Sequence, residues 1–160
     1  MSEEQRIFLG LGSNMGNRYQ NLKNGIIMLH EHPHIWVTDK SHVYQSPPMY
    51  RVEQDEFYNM VVEIDTNLIP VDLLNEIKNI EKKAGRLLER KKNMPRILDI
   101  DILAIGDLQI HSGLLEIPHG GISERIFVLK PWNDIAPNFV VPGQNAMVSE
   151  ILENTDDDSD

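Results

Sequence analysis

The 160-residue chain contains no cysteine. This absence excludes disulfides, thiolate catalysis and cysteine-ligated zinc or iron–sulfur sites, and it fits a reducing cytoplasm. Long apolar runs are also missing, because no stretch approaches the roughly 20 residues that a helix needs to cross a bilayer. Residues 1–4 lack the positive and apolar regions of a signal peptide. We therefore expect a cytoplasmic protein that binds no membrane.

Basic residues are the scarcer charge, since 15 Lys and Arg stand against 25 Asp and Glu for a formal net charge of −10. Nucleic-acid-binding proteins are more often basic over a whole face, so nucleic acid is not an expected partner. The basic residues nevertheless cluster in one segment. Such a segment in an acidic chain indicates either a site for a local anionic ligand or a solvated, charged helix end. Its members are Lys78, Lys82, Lys83, Arg86, Arg90, Lys91, Lys92 and Arg96.

Length and composition predict one domain, which we place at residues 1–155. A chain of this size buries about two-thirds of its unfolded surface, so a hydrophobic core is available without disulfides. Residues 156–160 are acidic and carry no apolar side chain, which predicts a disordered tail. No segment is typical of a dimer interface, and a monomer is expected.

Hydrophobic patterning predicts four main strands with helices between them. The strands are expected at residues 6–11, 35–44, 57–66 and 97–105. The first helix has Tyr19, Leu22, Ile26 and Leu29 on its buried face, and the second runs from Pro70 to Ala84, with Gly85 just past its end.

This order of elements matches an α+β fold with a ferredoxin-like split βαβ core, in which helices pack on a mainly antiparallel sheet. Extra C-terminal elements follow it. Gly106 and Asp107 predict a two-residue turn from the fourth strand to a short partner at residues 108–110. Short helices are expected at residues 123–129 and 147–154, separated by Pro131, Pro137 and Pro142.

Asp99 and Asp101 are the sharpest candidates for chemistry. Alternate residues of a strand share one face, so the two carboxylates lie side by side, about 7 Å apart. They either bind a hard divalent cation such as Mg²⁺, which takes one or two carboxylates and completes its shell with water and phosphate oxygens, or lie on a solvent-exposed face. The basic segment that ends at Arg96 favours the cation, because Mg²⁺ and arginine bind phosphate together.

The segment from Gly10 to Gly16 is rich in glycine but is not a nucleotide-binding fingerprint. Its third glycine falls one position late for GxGxxG, and no P-loop occurs in the chain. The segment indicates either a tight turn between a strand and a helix or a close approach of the backbone to a flat ligand. The alternating His30, His32 and His34 are expected at a helix C-terminus and not at a metal.

The run PRILDIDIL at residues 95–103 resembles the signature of the 6-hydroxymethyl-7,8-dihydropterin pyrophosphokinases. Further motifs of that family follow in the same order along the chain. They are GLGSN from Gly10, YQSPPM from Tyr44, FYN from Phe57, IE and GR within residues 80–86, IPH from Ile117 and RIF from Arg125.

The resemblance implies transfer of the β,γ-pyrophosphate of ATP to the hydroxymethyl group of a reduced pterin, a step of folate biosynthesis. It implies two Mg²⁺ ions bridged by Asp99 and Asp101. A pterin ring would lie between Phe57 and Phe127 with Asn59 on its edge, which suits the faces and the donor–acceptor edge of a planar heterocycle. The implied pterin-binding residues are Ser46, Met49, Phe57, Asn59 and Phe127.

The same resemblance implies the ATP site. Arg86 and Arg96 would act with the two aspartates in catalysis, since pyrophosphoryl transfer needs positioning and charge neutralisation more than a protein nucleophile. The implied ATP-binding residues are Glu81, Arg86, Arg96, Leu98, Ile102, His119 and Arg125.

The chain departs from the common family pattern at positions near the expected nucleotide site. Leu88 and Leu114 stand where arginine is frequent, Asn93 and Gly120 where an aromatic residue is frequent, and Met94 where a small residue is usual. These departures motivate a second hypothesis, a catalytically weak nucleotide- or pterin-binding module on the same fold. A third, a metal-dependent phosphohydrolase that uses the aspartate pair, leaves the two phenylalanines unexplained.

Overall fold

The computed structural model describes residues 5–46, 56–85, 97–122 and 125–156. The elements within these ranges are β1 (Ile7–Ser13), α1 (Arg18–Glu31), β2 (Ile35–Lys40), β3 (Tyr44–Ser46), β4 (Phe57–Thr66), α2 (Pro70–Gly85), β5 (Asp99–Ile105), β6 (Ile110–His111), β7 (Glu116–Ile117), α3 (Ile126–Ile135), β8 (Val140–Val141), β9 (Ala146–Met147) and α4 (Val148–Asp156). None of the helices in these ranges combines the length and the apolar character that a membrane span requires.

The main sheet has the strand order β2-β4-β1-β5, and β3 also pairs with β4. All of these pairings are antiparallel. Strand β4 lies between β1 and β2, and β1 lies between β4 and β5, so each βαβ unit is split by a strand of the other. The predicted α+β fold with a split βαβ core is confirmed.

The two faces of the sheet bury separate cores, because successive residues of a strand point to opposite sides. Ile7, Leu9 and Leu11 of β1 pack with apolar residues of α1 and α2. Phe8 points to the other face and packs on Trp132 of α3, with ring centroids 5.4 Å apart. On that second face, β1 continues with glycines at positions 10 and 12, so this end of β1 carries no side chain there.

The predicted strand at residues 35–44 is divided into β2 and β3. Ser41 separates the two strands. Its N–H donates to the carbonyl of Val61 at 2.9 Å, as in a regular strand pair, but its side-chain hydroxyl accepts from the Val61 N–H, also at 2.9 Å, where a main-chain carbonyl would normally accept. A register shift between Val37 and Asp39 precedes this break. The prediction also ended the first strand at Leu11, whereas β1 continues to Ser13.

The predicted hairpin after β5 is wrong, because β6 pairs with β7 and not with β5. The outer edge of β5 is occupied by other groups. A side-chain oxygen of Glu81 accepts from the N–H of Ile100 at 2.6 Å, and the N–H of His119 donates to the carbonyl of Leu103 at 3.0 Å. These bonds satisfy main-chain groups to which a neighbouring strand would otherwise bond.

The C-terminal helices differ from the prediction in their bounds. Helix α3 begins at Ile126 and continues through Pro131 to Ile135. An interior proline costs a helix about 3 kcal/mol, and here the cost is offset by burial of Leu129 and Trp132. Helix α4 includes Asp156, the first residue of the predicted tail, and residues 157–160 lie outside the described ranges.

Candidate active site

Four residues on neighbouring strands form a row across the sheet, near the C-terminal end of β1: Tyr44, Asn59, Gly12 and Asp99. Gly12 of β1 pairs with Asn59 of β4 on one side and with Asp99 of β5 on the other. Asn59 in turn pairs with Tyr44 of β3. Gly10 pairs with Asp101 two residues earlier on β1, so two glycines lie beside two aspartates.

The glycines form a flat floor between the polar groups of the neighbouring strands. A methyl group at Gly12 would lie 3.4 Å from Cδ1 of Phe57 and 3.5 Å from Oδ1 of Asn59. The absence of that methyl group lets a flat ligand approach the backbone beside Phe57 and Asn59. The alternative of close backbone approach, which the sequence left open for the glycine segment, agrees with this geometry. The turn itself comes later, at Gly16, whose φ is +70°.

Strand β3 fixes the orientation of the Asn59 carboxamide. Its nitrogen donates to the hydroxyl of Ser46 at 2.7 Å and, at 3.4 Å, to the carbonyl of Tyr44. The carboxamide oxygen lies on the side of Gly12. Asn59 therefore presents its carboxamide oxygen, an acceptor, toward Gly12, while the hydroxyl of Ser46 holds the carboxamide nitrogen on the opposite side.

The two phenylalanines predicted to hold a ring come from different elements. Phe57 is the first residue of β4, and Phe127 lies in the first turn of α3. Both side chains are partly exposed, and the ammonium group of Lys130 lies 5.8 Å from the centroid of the Phe127 ring. Met49, the remaining predicted pterin contact, lies outside the described residues.

Asp99 and Asp101 share one face of β5, as the strand alternation predicted, and each is only partly buried. Burial raises the pKa of Asp101, and the negative charge of Asp99 raises it further, while the neighbouring His119 and Arg125 lower it. Carboxylate oxygens are the ligands that Mg²⁺ prefers, and two of them lie here on the same face of one strand. A bound divalent cation would also relieve the repulsion between the two anions. The pair therefore fits the implied metal.

Glu81 of α2 is buried, although it was predicted to contact ATP. One oxygen accepts from the N–H of Ile100, between the two aspartates, and the other lies 3.3 Å from the ammonium group of Lys78. Burial raises the pKa of Glu81, the Ile100 N–H lowers it, and the charge of Asp99 raises it again. In the structure Glu81 fixes the edge of β5 between Asp99 and Asp101.

A β-bulge in β5 brings His119 to the site. Leu9 of β1 pairs with Ile102 and Phe8 pairs with Ala104, so Leu103 has no partner in β1. The carbonyl of Leu103 instead accepts from the N–H of His119. Bulges of this kind redirect groups beside functional sites.

The bulge leaves His119 near the aspartates, with Nε2 3.8 Å from Oδ1 of Asp101. Arg125 immediately precedes α3 and is close enough to Asp101 to act on its charge. The structure thus brings together the two aspartates, His119 and Arg125.

The other predicted nucleotide-binding residues are either buried or outside the described ranges. The side chains of Leu98 and Ile102 are buried in the core, so only their main-chain atoms are available to a nucleotide. Arg86 and Arg96 lie outside the described residues, as do Leu88, Asn93 and Met94. Of the remaining departures, Leu114 is 83% exposed, and Gly120 has open space around its Cβ position except for Glu116, 3.9 Å away.

The sequence interpretation placed Gly10 in the first strand but Gly12 in the turn segment, because it ended the strand at Leu11. The spacing of two between these glycines already indicated one face of a longer strand. The support that Glu81 gives to β5 had no local signal, because its bond to Ile100 joins residues 19 positions apart.

Comparison with known proteins agrees with these observations. The family model for 7,8-dihydro-6-hydroxymethylpterin-pyrophosphokinase (HPPK) matches residues 8–137. The chain is 40% identical over 151 residues to the 2-amino-4-hydroxy-6-hydroxymethyldihydropteridine pyrophosphokinase of Methylorubrum extorquens, with 94% of each chain covered.

A longer relative is the folic acid synthesis protein FOL1 of Dictyostelium discoideum, which is 46% identical over 136 residues. That match covers 85% of this chain, which spans about one fifth of the length of that relative and of the fol1 protein of Schizosaccharomyces pombe.

Among solved structures, wild-type Plasmodium falciparum HPPK-DHPS with pteroate superposes with a TM-score of 0.74. The match covers 96% of this chain and 43% of that one at 17% identity, and it shows the shared fold. Given the family match over residues 8–137 and the Methylorubrum extorquens relative, the chain belongs to the 7,8-dihydro-6-hydroxymethylpterin-pyrophosphokinase family.

Proposed function

We propose that the chain transfers the β,γ-pyrophosphate of ATP to 6-hydroxymethyl-7,8-dihydropterin, giving AMP and the pterin pyrophosphate in folate biosynthesis. The observation that carries the proposal is the row Asn59–Gly12–Asp99. It joins a polar ring-binding edge, a flat floor and a metal-binding carboxylate across three adjacent strands. A cytoplasmic location and a monomeric state stay predictions.

The ring-binding half of the site suits a pterin. The Asn59 oxygen accepts hydrogen bonds from ring N–H groups, and the floor at Gly12 lets the ring lie against the backbone. Phe57 and Phe127 supply apolar faces for a planar heterocycle. Ser46 keeps the Asn59 carboxamide from rotating, because it accepts from its nitrogen.

The phosphate-binding half suits ATP with two Mg²⁺ ions held by Asp99 and Asp101. When bound, the ions neutralise charge on the phosphoryl oxygens. His119 and Arg125 face the same carboxylates and would contact the triphosphate. Arg86 and Arg96 complete the proposed set, with Arg supplying the planar fork that phosphate accepts.

The proposed step is an in-line displacement at the β-phosphorus. The hydroxymethyl oxygen of the pterin bonds to that phosphorus while the bond to the oxygen bridging the α-phosphorus breaks. AMP leaves with that electron pair, and the hydroxyl proton passes to solvent. The protein contributes orientation of the two substrates and charge neutralisation.

The test is incubation of the purified chain with Mg²⁺ and ATP, with and without 6-hydroxymethyl-7,8-dihydropterin, followed by chromatographic separation of the products. AMP formed in equal amount to pterin pyrophosphate, and only with the pterin present, is the expected result. An Asp99→Asn variant should form neither product. Orthophosphate release without the pterin would indicate a phosphohydrolase, and pterin binding without AMP would indicate a binding module.

A further inference from the structure

Asp134 in the last turn of α3 bonds to two residues around the junction of β2 and β3. Its Oδ1 accepts from the hydroxyl of Tyr44 at 2.8 Å. Its Oδ2 accepts from the N–H of His42 and also lies 3.2 Å from Nδ1 of that residue. These contacts, which we call the Asp134 clamp, join residues about 90 positions apart in the chain.

The helix end of the clamp is linked to the ring-binding site. Phe127 and Asp134 are seven residues apart on α3, which is almost two turns, so they lie on the same side of the helix. A shift or rotation of α3 that broke the bond to Tyr44 would therefore also move the Phe127 ring relative to the sheet.

The strand end of the clamp is linked to the same site. Tyr44 pairs with Asn59, and its carbonyl and the Ser46 hydroxyl both accept from the Asn59 carboxamide nitrogen. Strand β3 is only three residues long, and Ser41 separates it from β2. So short a segment has few ladder bonds of its own, which makes an additional bond at Tyr44 important for its position.

We infer that Asp134 and Tyr44 are positioning residues for the pterin, because their bond sets the spacing between Phe127 on α3 and the Asn59–Ser46 edge of the sheet. The inference rests on the proposed function and adds two residues to it. Neither side chain is required to touch the substrate. The Asp134 side chain is 22% exposed, so its bonds are partly shielded from water. Partial burial and the Asp134 carboxylate both raise the pKa of Tyr44, which keeps the phenol protonated as the donor.

The test compares Tyr44→Phe and Asp134→Ala with the wild-type full chain in steady-state assays that vary each substrate in turn. Each variant should raise the KM for the pterin by about threefold to tenfold, the effect of losing one or two hydrogen bonds, while the KM for ATP stays within about twofold. The double variant should be no worse than Asp134→Ala, since both changes remove the same bond. Asp134→Asn keeps an acceptor oxygen for Tyr44 and should recover most of the wild-type pterin KM.

Thr66→Val is the matched control. Thr66 is at the opposite end of β4, and its hydroxyl donates to the carbonyl of His34 and accepts from the N–H of Leu68. The variant loses two side-chain hydrogen bonds, a loss comparable to that in Asp134→Ala, but far from Asn59. It should lower the Tm without changing either KM.

Unchanged pterin KM in Tyr44→Phe and Asp134→Ala, or an equal rise in both KM values, would overturn the inference while leaving the proposed function intact. A wild-type chain that forms no pterin pyrophosphate would contradict the proposed function instead. In that case calorimetric titration with the pterin alone tests the Asp134 clamp. The same variants should raise the Kd for the pterin by about threefold to tenfold. A wild-type chain that neither reacts nor binds the pterin would overturn both.

Discussion

Glu81 on α2 accepts a hydrogen bond of 2.6 Å from the main-chain N–H of Ile100, the residue that separates Asp99 from Asp101. The helix thereby fixes an edge strand at the point where two carboxylates must be held on one face. Because Glu81 is 5% exposed, water cannot easily replace it as the acceptor.

Removal of the Glu81 acceptor should destabilise the fold. Glu81→Ala leaves the Ile100 N–H without its partner, and the free energy of unfolding should fall by about 1–3 kcal/mol. Glu81→Gln keeps an acceptor oxygen and removes a charge whose burial is costly, so its stability should stay within about 1 kcal/mol of the wild type. Urea unfolding measures both variants, and equal losses would contradict the assigned role of the bond.

Gly12→Ala should impair pterin binding without unfolding the chain. The added methyl group would make ordinary contacts of 3.4 Å with Phe57 and 3.5 Å with Asn59, so the Tm should change little. It would project from the floor on which we propose that the ring lies, and we expect Kd for the pterin to rise by about tenfold or more. Gly113→Ala is the control, because its methyl group would contact nothing within 4 Å. A Gly12→Ala chain with wild-type affinity would show that the ring binds elsewhere.

Gly25→Ala should lower turnover through a core contact. The new methyl group on α1 would lie 3.0 Å from Cδ2 of Leu98, so Leu98 has to shift. Alanine favours the helix by about 1 kcal/mol over glycine, whereas overpacking costs about 1–3 kcal/mol, so the net loss of stability should be small. Because Leu98 directly precedes Asp99, a shift of Leu98 should displace the Asp99 carboxylate. We therefore expect kcat to fall although the free energy of unfolding changes little. A destabilised variant with unchanged kcat would show that the shift stays within the core.

The aspartate pair should couple thermal stability to Mg²⁺. Addition of the ion should raise the Tm of the wild-type chain, since it binds the folded state and relieves the repulsion between Asp99 and Asp101. In EDTA, Asp101→Asn should have a Tm equal to or above that of the wild type, because it removes a partly buried like charge. The variant should lose the response to Mg²⁺, and a retained response would place the ion elsewhere. Thermal scans with and without EDTA measure both effects.

Leu114→Arg should improve ATP binding. Leu114 is 83% exposed between β6 and β7, so its replacement should not affect the core. Arginine is frequent at this position in the family that the sequence resembles, and it would add a bidentate phosphate donor. We expect KM for ATP to fall by about twofold to tenfold and the KM for the pterin to stay unchanged. Leu114→Gln is the uncharged control, and an equal fall in both variants would rule out a charge effect.

Periodicity was sufficient to predict the sheet, the first two helices and the shared face of Asp99 and Asp101, because these depend on local alternation of apolar and polar residues. It was not sufficient for β6. Gly106 and Asp107 do form a turn, but the edge of β5 beyond it is already occupied by Glu81 and His119. Turn residues report on the local backbone only, and the available partner depends on distant residues.

Helix α3 shows the same limit. Pro131 predicts a helix end, yet the buried Trp132 packs on Phe8 and the helix continues. Tertiary packing outweighs the local cost of the proline. The sequence motifs were sufficient to name the residues of the candidate site. The hydrogen bonds of Glu81 and Asp134 join segments far apart in the chain, so the local sequence pattern could not predict them.

Gly12 of β1 lies between Asn59 of β4 and Asp99 of β5, so one strand separates these two residues. Neighbouring strands lie about 4.8 Å apart, so the distance from β4, which carries Asn59, to β5, which carries Asp99, is about 10 Å. Hydrogen bonds between backbones set this length, and no side-chain substitution in the pocket alters it. In the proposed reaction, this spacing therefore fixes the distance that the acceptor substrate must have between its ring and its hydroxyl group. An acceptor with a longer distance between the two would not match the spacing of β4 and β5.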